Sequence, residues 1–295
     1  MYDQAEKLRK LVQNAKASNP LGLTHGSAKA RVIAVTSGKG GVGKTNFTVN
    51  LAISLANAGQ KVLIIDADLG TANVDVILGC SAPHNIMSLL EDELSIYEVI
   101  ADGPRGIKYL SGGSGIHYLA NLTNSQLYTI INQISLFDSW ADIILIDTGA
   151  GLSRNVLNFV VAADEVIIIT TPEPTAITDA YAMMKAYTNY QGSASLKLVV
   201  NRVIEEDEGE LVTEKLTKAA LRFLDLSVSG LGVIYEDRNL IKAVKTQTPV
   251  LLSFPESVSS RCIEHIAQCL LYGRSEAYSR GIKSFFTKVF EFWKQ

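Results

Sequence analysis

From Arg31 onward, short runs of β-branched and aliphatic residues alternate with longer stretches in which apolar positions recur every three or four residues. The runs occupy 32–36, 62–65, 107–110, 143–146, 166–170, 196–200 and 233–234. Most are apolar nearly throughout rather than every second residue, as expected of strands covered on both faces. Helical patterns lie between most of them, over 46–57, 125–137, 176–190 and 210–224. This succession predicts one α/β domain: a doubly wound, mostly parallel sheet with helices on both faces and ligand at the carboxyl ends of its strands. No internal repeat or second domain is visible.

Both ends depart from this rhythm. Near the start, Ala5, Leu8, Val12 and Ala15 recur at helical spacing among polar residues, and Ser18-Asn19-Pro20-Leu21-Gly22 then breaks the pattern. That predicts a short amphipathic helix on a tether over 1–27, ahead of a main domain over 28–273. At the other end, within 274–295, Ile282, Phe285, Phe286, Val289, Phe290, Phe292 and Trp293 fall within an arc of roughly 160° when plotted at helical periodicity. Arg280, Lys283, Lys288 and Lys294 outweigh Glu291, so this end is basic in a chain whose net charge is −3. Aromatic stripe and flanking lysines together predict an interfacial helix that lies on an anionic membrane surface. The competing expectation is that the same stripe docks in a groove of its own domain or of a partner's.

Composition narrows the classes. Hydrophobic residues make up 47% of the chain and charged ones 19%, and no apolar run reaches the ~20 residues that cross a bilayer. The acidic, polar start lacks the pattern of a secretion signal, so a cytoplasmic protein is expected. The negative net charge disfavours broad DNA binding. Cys80, Cys262 and Cys269 form neither a disulfide framework nor a Cys-x-x-Cys pair, which argues against an iron–sulfur cluster. His25, His84, His117 and His265 show no metal-ligand spacing.

Candidate chemistry centres on the first strand. It runs into Gly38-Lys39-Gly40-Gly41-Val42-Gly43-Lys44-Thr45, which matches the phosphate-binding pattern G-x-x-x-x-G-K-[ST], and then into a helix beginning near Asn46. The glycines let consecutive N–H groups turn toward phosphate oxygens, and the helix adds the positive end of its dipole. Lys44 is expected on the β- and γ-phosphates and Thr45 on Mg²⁺. The second strand delivers Asp66 and Asp68 beside this loop, one acid for the region of Mg²⁺ and the other to position a hydrolytic water. A third strand, Ile143-Ile144-Leu145-Ile146, ends on Asp147, a candidate Mg²⁺ holder, and Gly149 and Gly151 permit a mobile loop after it. A second lysine in the loop, Lys39, suggests charge compensation reaching across a two-fold interface.

The motif Lys39-Gly40-Gly41-Val42-Gly43-Lys44-Thr45 resembles the deviant Walker A signature of the MinD/ParA class of P-loop ATPases. That resemblance implies Mg²⁺ and ATP/ADP as cofactors, an ATP-dependent homodimer, Lys39 crossing the dimer interface and Asp68 as the residue that orients water. It also implies that Asn73 and Asp75 lie near the interface, and that Asn201 and Asp237, at two later strand ends, clasp the adenine. Asp3-Gln4-Ala5-x-x-Leu8-Arg9 is similar to the D-Q-A-x-x-L-R motif of the FlhG family, the MinD-like regulators of flagellar number. There the motif stimulates FlhF, a signal-recognition-type GTPase, and further partners are flagellar C-ring components and, in polar-flagellate bacteria, a master transcriptional activator. The expectation is therefore an ATP-hydrolysing switch, cytoplasmic and reversibly attached to the inner face of the cell membrane, that sets flagellar number or placement. The alternatives are a MinD-type division-site regulator, a ParA-type DNA-partitioning ATPase and a metabolic P-loop enzyme.

Overall fold

The computed structural model describes residues 29–68, 73–91, 94–112, 122–273 and 279–294. The N-terminal motif residues Asp3, Gln4, Ala5, Leu8 and Arg9, with the helix expected around them, lie outside the described residues.

In chain order the elements begin with β1 (Arg31–Ser37), α1 (Lys44–Asn57), β2 (Val62–Ala67), α2 (Asn73–Leu78), α3 (Ser88–Glu91), α4 (Ile96–Val99), β3 (Ala101–Asp102) and β4 (Lys108–Leu110). Next come α5 (Asn124–Ser135), β5 (Ile143–Ala150), α6 (Arg154–Ala162), β6 (Glu165–Thr170), α7 (Pro174–Asn189) and β7 (Ser195–Val203). The last are α8 (Glu208–Leu224), β8 (Val228–Tyr235), α9 (Arg238–Lys245), α10 (Val250–Ser253), α11 (Val258–Tyr272) and α12 (Gly281–Lys294). The sheet order is β3-β4-β2-β5-β1-β6-β7-β8, parallel throughout except for β3, a two-residue strand antiparallel to β4.

Period-two alternation divides the sheet's side chains between two layers. Val32 and Ala34 of β1, Leu63 and Ile65 of β2, and Ile144 and Ile146 of β5 face one core, whereas Ile33, Val35, Val62, Ile64, Ile143 and Leu145 face the other. α1 and α11 pack together over the second face. On the first, α12 lies against both α5 and α6 and reaches β1.

The C-terminal stripe is thus inside the domain in this structure. Ile282, Phe285, Phe286, Val289 and Phe290 are none more than 3% exposed. Phe285 stacks on Phe159 of α6 with centroids 6.1 Å apart, and Trp293 meets the same ring edge-on at 5.7 Å. Among the seven residues of the stripe expected to meet lipid, five are core and Phe292 and Trp293 are half-buried. The physical reason is that a stripe of this width satisfies any apolar groove, and the sheet face between α5 and α6 supplies one on the same chain. Met183 and Met184 are core, and Cys262 and Cys269 are half-buried against the layer under α11.

Candidate nucleotide-binding site

The carboxyl ends of β1, β2, β5, β6, β7 and β8 converge on one edge of the sheet, and the loop after β1 sits at their centre. Two of its glycines are enforced by close approach. A side chain at Gly38 would collide with the backbone carbonyl of Asp179 in α7. Gly43 adopts φ 92°, and a β-carbon there would lie 2.5 Å from the amide nitrogen of Asn201. Gly43 also serves as the N-cap of α1, supplying no side-chain cap, and the first turn of α1 carries no acid. The amides at this helix end are therefore left for an anion, and the helix dipole favours one there.

Beneath the loop, Lys44 Nζ donates to Asp147 Oδ1 at 3.0 Å, and the Thr48 hydroxyl donates to the same oxygen at 3.0 Å. Lys44 is 7% exposed and Asp147 fully buried. The other carboxylate oxygen, Asp147 Oδ2, is buried without a partner. Asp66 lies within β2 rather than past its end, directly opposite Asp147 in the parallel register. Burial, then the Asp147 carboxylate beside it, push the Asp66 carboxyl up to about 7, against the opposing influence of amide bonds from Val74 and Asp68 and the charge of Lys44. Two facing acids with one orphaned buried oxygen and one lysine between them are a site short of positive charge. A divalent cation fits it by chemistry, with Asp147, Asp66 and the Thr45 hydroxyl as candidate holders.

Asp68 stands just past β2. Its carboxylate accepts from the Asn73 amide at 3.0 Å, and its backbone N–H donates to Asp66 Oδ1 at 3.1 Å. Gly149 faces it: a methyl group there would sit 3.6 Å from Asp68 Oδ1 and 3.4 Å from Val156. The loop after β5 is further tied to the phosphate loop by the Gly151 N–H, which donates to the Ser37 carbonyl at 2.9 Å.

On the far side of Gly43 a cavity of about 450 Å³ is lined by Asn46, Phe47, Asn201, Ile234, Tyr235, Leu240 and others. Asn201 donates to the Val42 carbonyl at 2.8 Å, which leaves its amide oxygen buried and unpartnered. A base with an exocyclic amino group can supply that missing donor. Asp237 lines the cavity too, but its carboxylate is committed elsewhere: Oδ1 accepts from Asn239 N at 2.8 Å and Oδ2 from Ser259 N and Oγ at 3.0 and 2.9 Å. It caps α9 and pins α11, so any base contact from Asp237 falls to its backbone.

Lys39 points away from this cluster. Its ammonium reaches Glu173 Oε2 at 2.7 Å and the Thr175 hydroxyl at 2.9 Å, at the start of α7. The bonded partners Thr48, Glu173 and Thr175 were not evident in the sequence pattern. Thr48 carried a signal, since it lies one helical turn beyond Lys44, whereas the pair between Lys39 and Glu173 joins residues 134 apart.

Comparison with known proteins agrees with this geometry. A family model described as ParA, NUBPL iron-transfer P-loop NTPase, matches residues 28–271. The chain's three cysteines are free, and no group of three or more potential metal ligands occurs among the described residues. The antiactivator FleN of Pseudomonas aeruginosa is 38% identical over 258 residues, covering 88% of this chain and 92% of its own. The flagellum site-determining protein YlxH of Helicobacter pylori is 36% identical over 299 residues, covering 99% of both. The septum site-determining protein MinD of Pyrococcus horikoshii, solved with Mg-ADP, superposes with a TM-score of 0.66 at 25% identity, covering 84% of this chain and 99% of its own. Matched by the ParA family model over residues 28–271 and 36–38% identical to YlxH and FleN along most of its length, the chain belongs to the MinD/ParA class of P-loop ATPases, on the FlhG-like flagellar branch.

Proposed function

We propose that the protein is an ATP-dependent switch that binds ATP with Mg²⁺, pairs with a second copy, hydrolyses the nucleotide, attaches reversibly to the inner face of the cell membrane and thereby regulates flagellar number or placement. The observation that carries this reading is the division of labour between two lysines of one loop. Lys44 is buried on Asp147 beneath the phosphate cradle, whereas Lys39 is half-buried and held at the surface by Glu173 and the Thr175 hydroxyl. Exposed pairs of this kind are weak. Lys39 is thus free to leave Glu173 for the phosphates bound to a second copy, and Lys44 stays with its own.

Within one site the loop amides and α1 hold the phosphate chain, Lys44 moves from Asp147 to the β- and γ-oxygens, and Asn201 accepts from the adenine amino group. Mg²⁺, when bound, neutralises charge on those phosphate oxygens. Asp68, steadied by Asn73, orients water for in-line attack on the γ-phosphorus, and the bond from that phosphorus to the bridging oxygen breaks. A γ-phosphate reaching the loop at Gly149–Gly151 is sensed there.

The flagellar role rests on likeness to FleN and YlxH, and the partner FlhF on the resemblance of Asp3-Gln4-Ala5-x-x-Leu8-Arg9 to its family's motif. C-ring components and a transcriptional activator enter on the same ground. In the test, Lys39→Ala keeps nucleotide affinity within about threefold but no longer dimerises with a non-hydrolysable ATP analogue, because the cradle amides and Lys44 remain. Lys44→Ala loses ~2–3 kcal/mol of binding, the scale of charge-assisted hydrogen bonds. Normal dimerisation of Lys39→Ala in light scattering overturns the two-lysine division.

A further inference from the structure

The docked α12 is not held by apolar contact alone, and its polar clasps fall into two groups. At its amino end, Asp138 accepts from the Ile282 N–H at 2.6 Å and the Lys283 N–H at 3.3 Å, while Asp164 accepts from the Arg280 N–H at 3.2 Å. Asp138 lies in the 3₁₀ turn after α5, and Asp164 stands just past the far end of α6, where it is anchored to β1: its other oxygen accepts from the Val32 N–H at 3.1 Å and its own N–H donates to the Val32 carbonyl at 2.9 Å. At the carboxyl end both clasps come from a single helix, α6. The Arg154 guanidinium donates to the Phe292 carbonyl at 3.1 Å. Asn158, with its amide oxygen toward the indole, accepts from Trp293 Nε1 at 3.2 Å and donates to the Arg154 carbonyl at 3.2 Å. Phe159 of α6 fills the space between Phe285 and Trp293.

α6 is also the helix that starts where the sensing loop ends. Arg154 is its first residue, with Ser153 as N-cap, and a β-carbon on Gly149 would touch both Asp68 and Val156, the third residue of α6. Gly151 adopts φ 89° and is bonded to Ser37 at the mouth of the phosphate loop. Any movement of residues 149–152 toward a γ-phosphate therefore pulls on the first turn of α6, where Arg154 holds α12. A packed helix transmits such a shift as a unit. The carbonyl of Phe292 belongs to the last turn of α12, where backbone acceptors lack partners within the helix, so an arginine there is a cap as well as a clasp.

We infer that α6 is the lever through which the nucleotide controls α12: with the sensing loop as seen here Arg154 and Asn158 latch the carboxyl end of the helix, and a loop drawn to the γ-phosphate withdraws the latch and frees the aromatic stripe. The inference deepens the membrane-switch reading and rests on it for its purpose, though not for its mechanics. Release begins at the carboxyl end, since Arg154 and Asn158 lie in the part of α6 next to the sensing loop, whereas Asp164 is fixed to β1 at its far end and Asp138 belongs to another element.

The test uses the full-length chain, hydrogen exchange of the amides in 281–294, and sedimentation with vesicles of phosphatidylethanolamine and phosphatidylglycerol. In the parent, exchange rises when a non-hydrolysable ATP analogue replaces ADP. Arg154 is exposed, so Arg154→Ala folds; it raises exchange with ADP about tenfold, the loss of one charge-assisted bond. The further rise on adding the analogue then shrinks, while nucleotide affinity is unchanged. Arg154→Lys, which keeps a cationic donor, restores part of the difference between ADP and the analogue. An undiminished nucleotide response in Arg154→Ala, or exchange identical to the parent in every state, overturns the lever. If exchange follows the expected pattern but no vesicle binding occurs in any state, the lever stands and the membrane reading falls. If vesicle binding follows ATP while Arg154→Ala changes nothing, the lever falls and the membrane reading stands.

Discussion

Asp68 shows how much a single side chain is asked to do here. It is half-buried at the mouth of the site, one oxygen held by Asn73, and close to the Gly149 backbone, so its carboxylate is oriented before any substrate arrives. Removing it leaves the phosphate cradle untouched, because Lys44, Thr48 and Asp147 bond one another beneath it. Asp68→Ala is therefore expected to lower the hydrolysis rate ~10²-fold or more, the usual worth of a positioned acid–base group, and to accumulate as an ATP-bound dimer. Steady-state turnover with size-exclusion chromatography checks this, and turnover at the parent rate removes Asp68 from the mechanism. Asn73→Ala is expected to act in the same direction but less, since it only loosens the carboxylate. Asp237 makes the opposite point. The family resemblance implied a base contact there, whereas both its oxygens serve helix ends, and no local pattern distinguishes an acid that caps from one that binds.

Among the elements, the central strands were legible because each is a continuous aliphatic run, a pattern that covered parallel strands produce and little else does. The long helices were legible for the complementary reason, that one face is apolar. α6 was not, since nine residues dominated by Val, Leu and Phe carry too little period to separate helix from strand. α12 was legible as an amphipathic helix, but periodicity reports that a stripe is apolar and not what covers it. Its amino end offers a test of how it is held. Burial pushes the Asp138 carboxyl above its ordinary value, opposed by the two backbone N–H bonds it accepts and by Lys29 and Lys283. A carboxyl raised in the folded state contributes stability that is complete below its unfolded value of 3.8 and is lost as pH climbs through the raised one. At neutral pH the ionised group is thus a cap held at a cost. Asp138→Asn keeps an acceptor without the charge, so at pH 7 it is expected to melt no lower than the parent, its relative advantage shrinking toward pH 4. Asp138→Ala loses the cap, about 1 kcal/mol, and melts lower by about 2 °C. Equal losses for Asn and Ala at pH 7 would show that the charge itself holds the helix.

For the whole molecule, the docked α12 means that the proposed membrane attachment would be an exchange of surfaces. Each large apolar side chain contributes about 1.5–3 kcal/mol when buried, but the five buried here have that burial already. Lipid must replace the groove, so the apolar terms nearly cancel. On this proposal, what remains to favour the membrane is charge, the inferred nucleotide-driven loss of the latch, and the proposed pairing of two helices in a dimer. This changes which variants test the idea. Deletion after Ser279, or Phe286→Glu, strips or charges the core as well as the stripe, because Phe286 is 1% exposed and packs between Phe285 and Phe290. Both are expected to lower the melting temperature and to bind an apolar dye through the bared groove at Ile130, Ile134 and Phe159. A fall in vesicle binding by them alone therefore decides nothing. Lys283 is exposed on the outer face of α12, so Lys283→Glu leaves the apolar packing intact. Reversing one charge at an acidic surface costs about 2 kcal/mol, near 30-fold, and two copies in a dimer multiply the effect. With an ATP analogue, Lys283→Glu is expected to sediment far less than the parent on phosphatidylglycerol-containing vesicles, and both proteins are expected to stay soluble with ADP. Salt should weaken the parent's binding in the same graded way. Vesicle binding unmoved by Lys283→Glu and by nucleotide would leave α12 as a structural helix of this domain and nothing more.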